Sequence, residues 1–299
     1  MIVVAGGSGF IGSAVVRRLL AGGQEVRVMT AHPERSRSRI EGMGAAVVLG
    51  DVLDASSLAG AVRGAGVVIQ TLTFPTFPVE KARKRFTFEE FDHLGTERLV
   101  GAAVEAGAKR YVFCSGSGAG PDAPKVWFRA KWGGEEAVRR SGIEHAILRP
   151  SWVYGPGDPS LSRLVALYRR LPFLPVVGDG EQRLQPAFVD DVADAFALAA
   201  RPGAPAGTFE IGGPEVLSMN QVLGTMMEVA GRSKPMVHVP PFLPKLPGAF
   251  TRFLPNPPLS PGAVDFITGD ALADTRSLLA AFDLRLTPLR AGLATYLRP

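Results

Sequence analysis

The chain has 299 residues and a formal charge of +5 at neutral pH, with 46% hydrophobic and 20% charged residues. That mixture excludes a mostly disordered chain and supplies a sizeable core, in one large α/β unit or about two domains. A single cysteine, Cys114, excludes an intramolecular disulfide and points to a reducing compartment, read as the cytoplasm. In chain order, Met1–Ala5 is a short apolar run entering a glycine-dense turn, and Ser13–Leu20 carries apolar residues at helical spacing. Glu25–Met29 and Ala45–Leu49 read as strands, Ser57–Val62 as a helix and Val67–Leu72 as a buried strand. A helix over Phe88–Ala106 feeds a strand at Arg110–Cys114, and a second near Arg129–Arg140 feeds Ala146–Leu148. Such alternation predicts an α/β fold, a doubly wound parallel (Rossmann) sheet.

After Pro150 the elements shorten and prolines punctuate them, yet Val189–Ala200 and Thr208–Ile211 look like a helix and a strand returning to the sheet. The expected division is a dinucleotide-binding domain over residues 1–150 and about 186–213, interleaved with a smaller C-terminal substrate or lid domain over about 151–185 and 214–299. Nine prolines fall between Pro235 and Pro261 among large apolar residues. They forbid an amphipathic helix there and favour an irregular lid over the substrate cleft, with a protein or peripheral-membrane contact through 235–262 as the alternative.

The basic excess favours anionic partners. Its densest run, Lys81, Arg83, Lys84 and Arg85, lacks the interleaved aromatic residues of a single-strand platform, reads as a solvated helix face, and predicts no nucleic-acid partner. Residues 1–16 are uncharged, but no basic segment precedes them and glycines crowd positions 6–12, so neither a signal peptide nor a transmembrane span is expected. His32, His93, His145 and His238 are scattered without zinc spacing, and no metal is expected.

Gly6, Gly9 and Gly12 lie between the first strand and the first helix, where a backbone free of Cβ atoms approaches a pyrophosphate and the helix N-terminus supplies N–H donors. With Ser8, Phe10 and Ile11 they form the candidate phosphate loop. NAD is selected by a carboxylate at the end of the second strand, which repels a 2′-phosphate. Here that corner is Thr30, Ala31 and His32, with Arg35, Arg37 and Arg39 just beyond, so NADP(H) is expected in preference to NAD(H), contacted by His32, Arg35 and Arg37. A solvated arginine loop is the alternative.

The run AGGSGFIG beginning at Ala5 resembles the N-terminal fingerprint of the extended and atypical short-chain dehydrogenase/reductases. Gly50-Asp51-Val52, Gly95-Thr96 with Leu99-Val100, Arg149-Pro150-Ser151 with Val153-Tyr154-Gly155-Pro156-Gly157, and Phe188-Val189-Asp190-Asp191-Val192 fit the same family in order. The resemblance spans residues 1–215 and is nearest to the branch that includes the NAD(P)H-binding accessory subunit of respiratory complex I. It implies further cofactor contacts from Asp51, Val52, Thr71, Pro150, Ser151 and Val153.

Family members that reduce carbonyls carry Tyr and Lys four apart on one helix face, the ammonium lowering the phenol's pKa. Lys131 stands before Gly133, Gly134 and Glu135, and Trp127 occupies the tyrosine's place. An indole N–H donates but does not titrate. Three readings stay open. In one, Lys131 holds the nicotinamide ribose and a proton comes from Ser115, Ser117, Tyr154 or water, the substrate being small and hydrophobic, carbonyl or quinone-like. In another, the chain is a non-catalytic NADP(H)-binding module with a structural, assembly or sensing role. In the third, the register is shifted and Lys131 is an ordinary helix residue. Trp127, Phe128 and Trp132 either line an apolar pocket or pack on the sheet.

Overall fold

The computed structural model describes residues 1–75, 80–84, 86–242 and 268–297. Its centre is a sheet of seven parallel strands: β1 (Ile2–Ala5), β2 (Val26–Thr30), β3 (Ala46–Leu49), β4 (Val67–Gln70), β5 (Arg110–Cys114), β6 (Glu144–Pro150) and β11 (Gly207–Ile211). They lie side by side in the order β11-β6-β5-β4-β1-β2-β3. Neighbouring side chains on each strand feed opposite faces. Val4, Ile69, Val112 and Leu148 join the core under α1 (Phe10–Ala21) and α7 (Val189–Ala199), while Val3, Val68, Phe113 and Ile147 join the core under α3 (Leu58–Val62), α4 (Leu94–Glu105) and α5 (Val126–Arg140). Both faces are covered, which is why these strands read as continuous apolar runs rather than alternating ones.

The strand order reverses direction between β1 and β4, so the loops leaving those two strands splay apart and open a crevice at their carboxyl ends. The glycine loop follows β1 and Thr71-Leu72 follow β4, which places both sets of residues at that crevice.

Two elements differ from expectation. The arginine-bearing segment after β2 is a helix, α2 (Pro33–Glu41), with Pro33 in its first turn. The long helix over Phe88–Ala106 is interrupted: Glu89–His93 form a π-helical turn, with Phe91 and Asp92 buried, before α4 begins at Leu94. A wider turn of this kind shifts the side chains that follow it relative to a straight helix.

Beyond β6 the chain forms small pairs around the sheet's edge. β7 (Val153–Tyr154) pairs with β10 (Ala187–Phe188), β8 (Leu174–Val177) with β13 (Met236–Val239), and β9 (Arg183–Leu184) with β12 (Leu217–Ser218). The helices α6 (Leu161–Arg170) and α8 (Met219–Val229) lie among them, α8 opened by a capping box of Ser218 and Gln221. Two short helices, α9 (Arg276–Ala281) and α10 (Leu289–Ala294), end the described chain. No helix among the described residues is long and apolar enough to cross a membrane. The proline-rich stretch expected as a lid or contact surface falls largely outside the described residues, as does Arg85 of the basic run.

Candidate functional site

The glycine loop turns where its residues require it. Gly6 has φ +81°, a conformation that side-chain-bearing residues rarely adopt, and a Cβ on it would meet Leu72 N at 2.9 Å. Gly9 caps α1, donating its N–H to Gly6 O at 2.9 Å and accepting from Ser13 N. A Cβ on Gly9 would meet only Gly6 O, at 3.3 Å, and otherwise project into open space beside the first turn of α1. A Cβ on Gly12 would strike Gly6 O and lie 2.6 Å from Thr71 Oγ1. Thr71 closes the arrangement, its amide (2.8 Å) and hydroxyl (3.1 Å) both donating to Ala5 O.

No side chain caps the first turn of α1 and no carboxylate stands in it. Its N–H groups and the positive end of its dipole therefore face the open space at Gly9, a cradle that fits a pyrophosphate. Phe10 and Ile11 start the helix half-buried against the core, and Ser8 lies on the loop's outer arm.

Past β2, His32 is exposed and within 3.6 Å of Glu34. Arg35 lies 3.7 Å from Glu34, and Arg37 pairs with Glu41 at 2.9 Å. Arg39, two residues further, turns back and donates to the carbonyl of Ser8. After β3, Asp51 accepts from Leu53 N at 2.9 Å, and Val52 packs against Gly95, where a Cβ would come within 3.0 Å of it.

Lys131 sits deep at the crevice. Its ammonium is 2.8 Å from Asp92 Oδ1 and donates to Leu72 O at 3.1 Å and Cys114 O at 3.4 Å, so three acceptors meet its three N–H groups. Leu72 lies two residues beyond β4 and Cys114 closes β5, which fixes Lys131 at the carboxyl ends of the strands beside the glycine loop. Asp92 is 3% exposed; burial raises its pKa and the neighbouring ammonium opposes that rise. Burial likewise pushes the Cys114 thiol up to about 11, which leaves it a protonated, unreactive group at neutral pH.

Asp92 was absent from the sequence reading. The available signal was its place three residues before Gly95-Thr96. Its backbone is held by a buried chain of polar groups: Tyr111 donates to Gln70 Oε1, Gln70 Nε2 to Thr96 Oγ1 at 2.8 Å, and Thr96 Oγ1 to Asp92 O at 2.7 Å.

Trp127, one helical turn from Lys131, is half-buried on an aromatic cluster. Its ring centroid is 6.1 Å from Phe88 and 6.0 Å from Phe128, and Phe88 continues into Phe74 at 4.5 Å. Phe86 and Phe91 complete the cluster beside Phe74, at 4.9 and 6.0 Å. The glycines of the β5–α5 loop make room for Phe128, whose ring comes within 3.2 Å of a Cβ built on Gly118. Trp132 points elsewhere, stacked under Arg139 (4.8 Å) and Arg149 (5.7 Å).

The two serines are both engaged. Ser115 Oγ donates to Glu135 Oε1 at 2.6 Å, and that fully buried carboxylate also binds Arg139 and Arg149 at 2.6 Å each. Ser117 Oγ donates to Leu272 O, joining the β5–α5 loop to the C-terminal segment. Ser151 donates through Oγ to Gln185 O at 2.5 Å, Pro150 O accepts from Ser117 N at 2.9 Å, and Val153 is half-buried in β7. Tyr154 is fully buried against Phe188 at 5.5 Å, burial raises its pKa, and it belongs to the core rather than to the crevice.

A dinucleotide-binding α/β protein is what this fold and loop define. Residues 6–167 match an NAD(P)H-binding family and residues 117–241 the RmlD substrate binding domain. The chain belongs to the NAD(P)H-binding short-chain dehydrogenase/reductases, in their extended and atypical group. It is 32% identical over 236 residues to the mitochondrial NADH dehydrogenase [ubiquinone] 1 alpha subcomplex subunit 9 of Arabidopsis thaliana, a match over 76% of this chain and 57% of that one. The chain thus spans less than two thirds of that relative's length. It is 31% identical to the (4-alkanoyl-5-oxo-2,5-dihydrofuran-3-yl)methyl phosphate reductase of Streptomyces griseus, over 78% of this chain and 74% of that one. In architecture it resembles UDP-glucose 4-epimerase of Thermus thermophilus in complex with NAD, with a TM-score of 0.75, 22% identity, and coverage of 98% and 96% of the two chains.

Proposed function

We propose that this protein is an NADP(H)-dependent oxidoreductase that reduces a hydrophobic carbonyl or quinone-like compound without a tyrosine acid/base. The carrying observation is the position of Lys131, an ammonium held at the carboxyl ends of β4 and β5 beside the phosphate loop, with the Trp127–Phe88–Phe74 cluster as an apolar neighbour. A bound nicotinamide supplies hydride; the chain's own residues bind the dinucleotide, exclude water and place a positive charge near the reacting oxygen. Gly6, Ser8, Gly9, Phe10, Ile11 and Gly12 hold the pyrophosphate side, and Asp51, Val52, Thr71, Pro150, Ser151 and Val153 border the remainder. Ser115 and Ser117 both donate their hydroxyls within the protein, to Glu135 and to Leu272 O, so water is the proton source that this reading favours. The segments after Pro150 and the C-terminal residues form the substrate side, and the lone buried thiol supports a cytoplasmic setting.

A second reading has its own support. The Lys131 ammonium is already saturated by Asp92, Leu72 and Cys114, and no phenol stands at position 127. Those features suit an NADP(H)-binding module that does not turn over, and the Streptomyces relative's reductase name favours the first reading in the same measure that the Arabidopsis relative's subunit name favours this one.

One experiment separates them. NADPH consumption is followed at the nicotinamide absorbance band with a panel of quinones and aryl ketones, wild type against Lys131→Ala. The oxidoreductase reading expects catalytic consumption that Lys131→Ala lowers; stoichiometric NADPH binding with no consumption by any compound overturns it.

A further inference from the structure

We propose that the outer face of the β8–β13 ribbon, together with the basic residues that lead into both strands and the exposed side of α6, is a docking surface for a membrane that carries anionic lipid. It holds whether or not the protein turns over its cofactor. The two strands pair in parallel, Met236 beside Leu174 and Val239 beside Val177, so both start at the same end of the ribbon. Successive residues of a strand face opposite ways. Leu174 and Val176 are buried in the core, which leaves Pro175, Val177, Val237 and Val239 on the outer face with no polar side chain among them. Val237 is 43% exposed; Phe173, leading into β8, is 38% exposed, and Phe242, three residues beyond β13, is 62% exposed.

The cations gather where the two strands begin. Arg169 and Arg170 close α6 just before Phe173, and Arg232 and Lys234 precede Met236. Lys234 joins the two pieces, its ammonium donating to Tyr168 O and, at 2.7 Å, to Leu171 O, while the Tyr168 hydroxyl donates to Arg232 O at 2.5 Å. On α6, Leu161, Val165 and Tyr168 face the core, and the opposite side carries exposed Arg163, Ala166, Arg169 and Arg170. Among the described residues no carboxylate pairs with Arg163, Arg169, Arg170 or Arg232. The sequence explains this, since no Asp or Glu occurs from residue 159 to 178 or from 229 to 264. Exposed apolar side chains bordered by unneutralised cations match the boundary of a bilayer, where the former enter the acyl edge and the latter stay at anionic headgroups. A nucleic acid would satisfy the arginines and leave the valines in water.

The test sediments full-length protein with vesicles of phosphatidylcholine alone and of phosphatidylcholine containing about one third phosphatidylglycerol. Binding is expected to the anionic vesicles only, and should weaken between about 0.1 M and about 1 M salt as the screening length shrinks from about 10 Å to about 3 Å. Each basic residue at such a surface is worth about fivefold, so the double variant Arg169→Gln, Arg170→Gln should bind about tenfold more weakly or worse. Val237→Glu should weaken binding about tenfold by placing a charge on the apolar face, while Arg17→Gln, on α1, should stay within about twofold. Urea midpoints near wild type show that the variants are folded. Failure of wild type to sediment with anionic vesicles overturns the proposal. So does binding that Arg17→Gln weakens as much as the double variant, which would reflect overall charge. A wild-type dimer that Val237→Glu dissociates, without vesicle binding, overturns it in favour of a contact between copies.

Discussion

Gly9 and Gly12 stand three residues apart in one loop and need glycine on different grounds. A side chain on Gly9 would enter the open space where a pyrophosphate is expected, touching only Gly6 O at 3.3 Å. On Gly12 it would strike the Gly6 carbonyl and crowd Thr71 Oγ1 at 2.6 Å, which is backbone and a fixed hydroxyl rather than flexible surface. Gly9→Val should therefore fold with a near-native urea midpoint and lose dinucleotide binding. Gly12→Ala should cost about 1–3 kcal/mol of stability through overpacking before binding is considered. Denaturation curves and NADPH titrations on both variants check the contrast; equal destabilisation would refute it. Spacing made both glycines visible in the sequence, but which of them faces ligand and which faces protein depends on Thr71, 59 residues beyond Gly12. Asp92 shows the same limit more sharply. Nothing local distinguishes its carboxylate from Glu89 or Glu90, and only the packing of α5 on the π-helical turn brings Lys131 to it.

At the scale of elements, the chain from Tyr111 through Gln70 and Thr96 to the Asp92 carbonyl ties β5, β4 and α4 together inside the core. Buried polar groups linked in this way are costly to leave half-satisfied. Gln70→Leu leaves the Tyr111 hydroxyl without its acceptor and the Thr96 hydroxyl oxygen without the N–H it accepts, and should destabilise the fold by about 2 kcal/mol or more. Adding Tyr111→Phe should restore part of that loss, because it removes one of the stranded groups. Urea denaturation of the single and double variants measures the coupling; strict additivity would show that the two groups do not depend on each other.

Helix α2 and the π-helical turn escaped the sequence reading for definite reasons. On α2 only Ser36 and Ile40 are buried, a single apolar anchor per two turns, so no amphipathic stripe exists to be read. Pro33 and Glu34 in its first turn were the available signals, and they mark a start without declaring a helix. The π-helical turn carries no pattern of its own, since its wider register arises where Gly133 and Gly134 of α5 press against His93 and Asp92.

For the whole molecule, the C-terminal residues are tied back through polar clasps, one to α7 and two to the segments after β6 and β11. Asp191 of α7 accepts from Thr287 N at 2.6 Å and Thr287 Oγ1 at 2.8 Å, Glu215 accepts from Leu289 N at 2.8 Å, and Arg183 meets Asp270 at 2.8 Å. Asp191→Ala should cost about 1–3 kcal/mol and raise hydrogen exchange over residues 287–297 ahead of the central sheet. Burial raises the pKa of Asp191 above its ordinary 3.8, with the Thr287 hydrogen bonds opposing. The folded state then holds that proton more tightly than the unfolded chain. Its contribution to stability is fullest below the unfolded value and declines as pH rises through the folded one. Asp191→Asn should flatten that decline in stability-versus-pH curves, and an unchanged slope would assign the effect elsewhere.

What the sequence determined alone was whatever local periodicity encodes: the strands and helices of the βαβ half, and the glycine loop between the first strand and helix. Regular burial on both faces writes itself into contiguous apolar runs, and a phosphate turn into glycines at fixed spacing. Tertiary structure decided the rest. It alone set the strand order that opens the crevice between β1 and β4, the choice of β6 as the partner of Gly207–Ile211, the meeting of Asp92 with Lys131, the choice of Arg39 over Arg35 and Arg37 to approach the loop, the bond of Ser115 to Glu135 and the burial of Tyr154 in the core. Each of these is a contact between residues far apart in the chain, and a side chain's chemistry is fixed by the neighbours that packing supplies rather than by those that sequence places beside it.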